Sequence, residues 1–125
     1  MKKNSQYILT LEPLTLARIG KIISNNEHIV LGQDCINRVK VNREYLEAKI
    51  SQDNKTIYGI NTGFGSLCNT IIPQKGLEDL QRNLVLSHSC GTGLVIPQHI
   101  AKIVLLLKIK NLSLGYSGVR VSLVE

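Results

Sequence analysis

The sequence predicts a mainly α-helical fold with short β-strands, contained in a single domain over residues 1–125. Four segments carry apolar residues at three- and four-residue spacing, which is the pattern of helices that bury one face. The β-prone runs are brief and end at proline or glycine. A chain of 125 residues with 43% hydrophobic content is also long enough to bury one modest core.

The first half of the chain predicts a strand, a helix, a second extended piece and a longer helix. Ile8 to Leu11 is a β-prone run that Pro13 interrupts. Thr15 is a suitable N-cap for the first helix, and Ile29 to Leu31 follows as a short extended piece. The apolar positions are Leu16, Ile19, Ile22 and Ile23 in the first helix and Cys35, Val39, Leu46 and Ile50 in the second.

The second helix also carries a charged face, which the helical spacing predicts to be exposed to solvent. A turn at Asp53–Asn54 is expected to follow this helix. The charged residues are Arg38, Lys40, Arg43, Glu44 and Glu47.

The middle of the chain predicts a buried strand, a glycine-rich loop and a third helix. The strand is expected at Ile57–Ile60 and the helix at Gly76–Ser87. Continuing the apolar face of this helix by four residues places His88 one turn after Leu84.

The last part of the chain predicts a fourth helix with Pro97 in its first turn. Since this helix is apolar on nearly all sides, we expect it to be buried in something larger. A turn is expected at Gly115–Gly118, where Ser117 is a candidate cap for a further element. Residues 118–125 fit a strand by alternation and a helix by spacing, and both remain open.

Charge and cysteine content exclude several classes of protein. The net charge of +6 is spread along the chain and only 4% of residues are aromatic, so a dedicated nucleic-acid module is not expected. We do not expect the first residues to form a secretory signal, and no apolar run in the sequence reaches membrane-spanning length. Cys35, Cys68 and Cys90 lack metal-ligand spacing, and we expect free thiols in a reducing cytoplasm, with no metal.

The segment Tyr58–Gly65 is the first candidate for chemistry, because it contains three glycines within seven residues. Its spacing is neither that of a dinucleotide-binding loop nor that of a phosphate-binding loop. It places the Tyr58 hydroxyl, a possible proton donor or acceptor, beside backbone that turns sharply. The alternative is a glycine-rich surface turn on which the Tyr58 ring merely packs.

The segment Ser87–Gly93 is the second candidate, because His88 ends an apolar helix face among small residues. Such a histidine can hold a polar substrate group or transfer a proton. The alternative is a histidine that is simply hydrogen-bonded at a helix C-terminus, where the helix dipole favours its charged form. A nucleophilic pair of Cys90 with His88 lacks a third, orienting group.

Three segments in this order resemble the aromatic amino-acid ammonia-lyase family, and most closely its histidine-specific members. They are Tyr58–Gly65, Leu80–His88 and Gly115–Arg120. The resemblance runs from about Ile8 to the last residue. It implies the N-terminal region of the helical ammonia-lyase (fumarase/aspartase-like) fold, truncated, and a homotetrameric assembly.

The resemblance implies an enzyme that eliminates ammonia from an α-amino acid, which for histidine gives urocanate. Tyr58 matches the tyrosine that transfers a proton, whereas His88, with Ser87 beside it, matches the lining of the substrate side-chain pocket. The mobile loop that closes over the site corresponds to Gly59, Asn61, Thr62, Gly63, Phe64 and Gly65. No external cofactor is implied, because the family forms a methylidene-imidazolone electrophile from its own Ala-Ser-Gly.

The chain departs from the family pattern in one essential respect. Its only alanines, Ala17, Ala48 and Ala101, are followed by Arg, Lys and Lys, so these residues contain no Ala-Ser-Gly. We therefore expect an incomplete domain that is inactive alone, from a truncated gene, a split reading frame or a deliberate truncation. The alternatives are a fragment of a tyrosine or phenylalanine ammonia-lyase and a non-catalytic remnant that binds a full-length lyase as an assembly partner.

Overall fold

The computed structural model describes residues 5–52 and 55–125, so the turn predicted at Asp53–Asn54 lies outside the described residues. The chain divides into two compact units, of which one combines Met1–Ala48 with Val95–Glu125 and the other is Lys49–Leu94. The predicted mainly α fold is confirmed. Its elements are β1 (Gln6–Leu9), α1 (Leu16–Ser24), β2 (His28–Leu31), α2 (Gln33–Gln52), α3 (Gln74–His88) and α4 (Gln98–Ser113), with 3-10 turns at Gly65–Leu67 and Val121–Leu123.

The first unit begins with two parallel strands joined by α1. β1 pairs with β2 in a register that places Gln6 opposite His28 and Leu9 opposite Leu31. A parallel pair requires a crossover connection, which α1 supplies. Thr15 caps this helix as predicted, since its hydroxyl accepts a hydrogen bond of 3.2 Å from the backbone N–H of Arg18.

β1 ends at Leu9 and not at Leu11, which corrects the predicted strand bounds. Beyond β1 the backbone groups are taken by side chains of α2. The Cys35 thiol donates to the Leu9 carbonyl at 3.3 Å, and the Leu11 N–H donates to Asp34 Oδ2 at 2.9 Å. The Leu9 carbonyl also accepts the Gly32 N–H at 2.7 Å, which is the last backbone bond between the two strand segments. The Leu11 N–H is already bound to Asp34 and is not available for strand pairing, which explains why the β-prone residues after Leu9 are not part of the sheet.

Asp34 and Lys110 hold the same stretch from two helices. The Lys110 ammonium donates to the carbonyl of Thr10 at 2.6 Å. The pKa of Asp34 is lowered, first because its carboxylate accepts the Leu11 N–H and also because Lys110 lies nearby. The hydrogen bond to Leu11 is therefore retained at a more acidic pH than an ordinary aspartate would allow. Burial raises the pKa of the neighbouring Cys35 thiol, which stays protonated as a donor.

The core of the first unit collects apolar side chains from its strands and helices. α4 contributes on one side only, because Leu106 is 1% exposed whereas Val104 and Leu105 are 59% and 62% exposed. The helix predicted to be buried on all sides is thus covered on one side by this chain. The buried apolar residues are Leu9, Ile22, Cys35, Val39, Leu106, Leu112 and Val124.

The segment after α4 packs against α2 through polar contacts. Gly118 donates its N–H to Asn42 Oδ1 at 2.6 Å and accepts from Arg43 Nη1 at 3.0 Å. Arg43, predicted on the solvent face, is half-buried because it makes this bond. Arg38 remains exposed, and its Nη2 donates to the Tyr116 hydroxyl at 3.2 Å.

The C-terminal residues form neither the strand nor the α-helix that the pattern left open. A 3-10 turn spans Val121–Leu123, and Val124 after it is buried. Arg120 occupies the N-cap position of this turn without a side-chain hydrogen bond. Ser117 therefore does not cap it, which corrects that prediction.

Replacing Gly115 with alanine is expected to destabilise the chain, because Gly115 has a φ of +69° and a Cβ there would lie 2.7 Å from the Arg38 carbonyl oxygen. Backbone strain alone is worth about 1–3 kcal/mol at such a position. The matched control is Gly20→Ala within α1, where a Cβ meets nothing within 4 Å. We expect Gly20→Ala to stabilise the chain by about 0.5–1 kcal/mol. Urea midpoints from circular dichroism at low protein concentration compare the two, and equal midpoints for Gly115→Ala and wild type would contradict the prediction.

Candidate functional site

Both predicted site segments lie in the unit Lys49–Leu94. The strand predicted at Ile57–Ile60 is wrong, because these residues form a turn. The Ile57 carbonyl accepts from Ile60 N–H at 3.0 Å and from Asn61 N–H at 3.2 Å. The Ile57 N–H in turn donates to the side chain of Asn61 at 2.6 Å. With both backbone groups used locally, Ile57 has none left for a sheet partner.

Asn61 organises this turn through both ends of its side-chain amide. Oδ1 accepts from Ile57, and Nδ2 donates to the Lys55 carbonyl at 2.9 Å. The Asn61 backbone carbonyl accepts from Ile72 N–H at 2.9 Å. Only 9% of the residue is exposed, so its polar atoms depend on these partners.

Thr62 supports the loop from the inside. It is 0% exposed, and its hydroxyl accepts from Gly59 N–H at 3.3 Å while donating to the Gly63 carbonyl at 3.1 Å. Thr62 also forms an antiparallel bridge with Ile71. The loop residues Asn61 and Thr62 are therefore buried supports of the turn.

The glycines of the loop meet two different requirements. Gly59 and Gly65 have φ values of +73° and +58°, which side-chain-bearing residues rarely adopt. At Gly63 a Cβ would lie 2.5 Å from the Cβ of Leu67, so the close approach of the chain requires glycine there.

Tyr58 projects from this turn with 67% of its surface exposed. Its ring meets the ring of Phe64 edge to face, with centroids 6.0 Å apart and planes at 74°. Such a contact orients the ring without enclosing it. The ring contact with Phe64 thus leaves most of the surface of Tyr58 exposed to solvent.

Ser87 and His88 are exposed at the C-terminal end of α3. The predicted one-turn relation of His88 to Leu84 is confirmed, because His88 Nδ1 lies 2.9 Å from the Leu84 carbonyl oxygen. Ser87 Oγ donates to the same carbonyl at 2.8 Å and lies 2.9 Å from His88 Nδ1. The imidazole is therefore held by two neighbours on its own helix.

The two segments are built independently of each other. Within residues 55–94 no hydrogen bond or ring contact joins the Tyr58–Gly65 loop to Ser87 or His88. Across the part of the chain that the structure describes, no three His, Cys, Asp or Glu side chains are grouped closely enough to hold a metal ion. None of the described helices is long and apolar enough to cross a membrane.

A cavity of about 360 Å³ lies in the other unit, between α1, β2 and α4, and was not predicted from the sequence. Its walls include Ile22, Leu105 and Leu106, and Lys102 at its rim donates to Asn26 Oδ1 at 2.7 Å. The related pattern in the sequence is that α4 carries apolar residues on nearly all sides, which is more than one buried face requires.

Replacing Asn61 with alanine is expected to open the loop, because it leaves Ile57 N–H and the Lys55 carbonyl without their partner. Losing a partner for a buried polar group costs about 1–3 kcal/mol, which corresponds to a roughly 5- to 150-fold loss of hydrogen-exchange protection at Ile57 and Ile72. Asn61→Asp is the control, because it keeps the oxygen that accepts from Ile57 and should retain protection there. Full protection in the alanine variant would show that Asn61 does not hold the turn.

Comparisons with known proteins agree on one family. The family model described as aromatic amino acid lyase matches residues 14–125. Histidine ammonia-lyase of Legionella pneumophila is 44% identical over 122 residues, which are 98% of this chain and 24% of that protein. The chain thus spans about a quarter of the length of this curated relative.

Two solved structures share the fold. Ergothionase from Treponema denticola, in complex with desmethyl-ergothioneine sulfonic acid, matches with a TM-score of 0.88 and 28% identity, covering 96% of this chain and 24% of that one. Histidine ammonia-lyase from Trypanosoma cruzi matches with a TM-score of 0.79 and 33% identity, covering 94% of this chain and 22% of that one. Together with the match over residues 14–125, these likenesses show that the chain belongs to the aromatic amino acid lyase family.

Proposed function

We propose that this chain is the N-terminal part of a histidine ammonia-lyase, which converts L-histidine to urocanate and ammonia without oxidation. The observation that carries the proposal is the 44% identity to a histidine ammonia-lyase along 98% of the chain. The pair Ser87–His88 supports this substrate, since plant-type phenylalanine and tyrosine lyases place an aromatic residue or histidine followed by leucine at this point. Some bacterial tyrosine lyases also carry Ser-His, so tyrosine is the competing substrate.

Each site residue has a role in this proposal. Tyr58, a largely exposed residue, transfers a proton through its hydroxyl. His88 holds the substrate side chain, with Ser87 beside it. The loop from Gly59 to Gly65 closes over the bound substrate and excludes water.

The family's methylidene-imidazolone supplies an electron sink for the elimination when it is formed. The described chain does not fit the formation of this group, because the residues after Ala17, Ala48 and Ala101 are Arg, Lys and Lys. We therefore propose that the 125 residues alone are inactive. We also propose a cytoplasmic homotetramer for the complete enzyme.

A chimeric lyase tests the substrate. Residues 1–125 replace the matching quarter of the Legionella pneumophila enzyme, and product formation from histidine, tyrosine and phenylalanine is followed by ultraviolet absorbance. We expect histidine to be turned over fastest, and no product from the 125-residue chain alone. Faster turnover of tyrosine or phenylalanine would assign the chain to that branch of the family.

A non-catalytic assembly partner is the remaining alternative. The DNA immediately downstream of the coding sequence separates the two possibilities. A continuing reading frame that encodes Ala-Ser-Gly supports the lyase, whereas a chimera that folds without turning over any of the three amino acids supports the assembly partner.

A further inference from the structure

We infer that Ser87 is a positioning residue, which together with the Leu84 carbonyl fixes the imidazole of His88 as the tautomer with its proton on Nδ1. The inference begins from three contacts. Ser87 Oγ donates to the Leu84 carbonyl at 2.8 Å, His88 Nδ1 lies 2.9 Å from that same carbonyl, and Nδ1 lies 2.9 Å from Ser87 Oγ.

The placement of protons follows from what each group can donate. A carbonyl oxygen only accepts, so the contact between Leu84 and His88 Nδ1 requires a proton on Nδ1. The single hydroxyl proton of Ser87 is donated to the Leu84 carbonyl. Ser87 Oγ can therefore only accept from His88 Nδ1, which again requires a proton on Nδ1. Two separate contacts therefore require the same protonated nitrogen.

The other ring nitrogen then has a defined chemical role. With the proton on Nδ1, Nε2 of the neutral ring carries a lone pair and acts as a hydrogen-bond acceptor. This consequence rests on the proposed function, in which His88 contacts the substrate side chain. The acceptor selects aromatic side chains that carry a donor, such as an imidazole N–H, over a bare phenyl ring, because an unpaired polar group in a closed site is costly.

The same helix end offers a matched control. Ser89 Oγ donates to the Val85 carbonyl at 2.5 Å. Like Ser87, it thus bonds to a backbone carbonyl in the preceding helical turn. Within the described residues its hydroxyl makes no bond to His88. Ser89→Ala thus removes an equivalent bond at the helix end and leaves both partners of His88 in place.

Nitrogen chemical shifts of ¹⁵N-histidine in the 125-residue chain measure the tautomer directly. The chain has three histidines, and the signals of His88 are identified by their loss in His88→Gln. Solid-state spectra of sedimented protein are recorded at a pH of about 9, above the range in which histidines ordinarily titrate. We expect the Nδ1–H form to dominate for wild type and for Ser89→Ala.

Ser87→Ala is expected to lower the ratio of Nδ1–H to Nε2–H at His88 by about two- to tenfold, the equivalent of one hydrogen bond. Ser87→Thr keeps the hydroxyl and should restore the wild-type ratio. Dominance of Nε2–H in wild type, or an unchanged ratio in Ser87→Ala, would overturn the inference. A failed chimera would refute the proposed function without changing these ratios, so the two failures are distinguishable.

Discussion

Replacing Tyr58 with phenylalanine is expected to lower turnover by the chimeric lyase about 10²–10⁴-fold, the usual effect of losing a positioned proton-transfer group. Phenylalanine keeps the ring and its edge-to-face contact with Phe64, so the loop should fold normally. The backbone of the turn is held by Asn61 and Thr62, which the substitution leaves intact. The loss should therefore appear in catalysis and leave stability unchanged.

Tyr116→Phe is the matched control for this prediction. It removes another exposed tyrosine hydroxyl, whose partner is Arg38 Nη2 at 3.2 Å, from a residue that has no role in the proposed site. We expect Tyr116→Phe to retain turnover close to wild type. Wild-type turnover in Tyr58→Phe would instead assign Tyr58 to the packing role alone.

The isolated chain is expected to self-associate when it is expressed alone. One side of α4 is uncovered, with Val104, Leu105 and Leu107 exposed by 59%, 62% and 46%. Val95 at 95% and Ile96 at 63% add apolar surface just before the helix. At about 25 cal/mol per Å², a few hundred Å² of such surface corresponds to several kcal/mol, which is comparable to the whole stability of a small domain.

Gel filtration with light scattering, together with a near-ultraviolet circular dichroism spectrum, measures this state. A paired substitution, Val104→Lys with Leu107→Lys, places charge on the uncovered side and should reduce association. The buried Leu106 is left unchanged, so the core contact of α4 is retained in the variant. A wild-type monomer that melts cooperatively would show that this chain is self-sufficient.

Local signals predicted much of the helical framework. Thr15 at the start of α1 works as a cap because a hydroxyl can reach an N–H three residues later, which requires no knowledge of the rest of the fold. The one-turn relation of Leu84 and His88 follows in the same way from helical geometry.

Features that depend on distant or side-chain partners were not predictable. The apolar run Ile57–Ile60 forms a turn because the amide of Asn61 takes the hydrogen bonds that a strand would need. Arg43 is half-buried because its guanidinium donates a hydrogen bond to the carbonyl of Gly118, which lies 75 residues further along the chain. For the candidate site, Tyr58, Ser87 and His88 are predictions that rest on the family resemblance, whereas the buried support by Asn61 and Thr62 depends on contacts that no local pattern predicts.

The arrangement of the first unit has a consequence for synthesis on the ribosome. Because this unit joins Met1–Ala48 to Val95–Glu125, its early strands and helices emerge long before α4 does. The bond from Lys110 to Thr10 spans 100 residues and cannot form until Lys110 has left the exit tunnel. Lys49–Leu94 is continuous in sequence and lacks this delay. During translation, the unit that carries the candidate site segments can therefore begin to fold before the unit that joins Met1–Ala48 to Val95–Glu125 is complete.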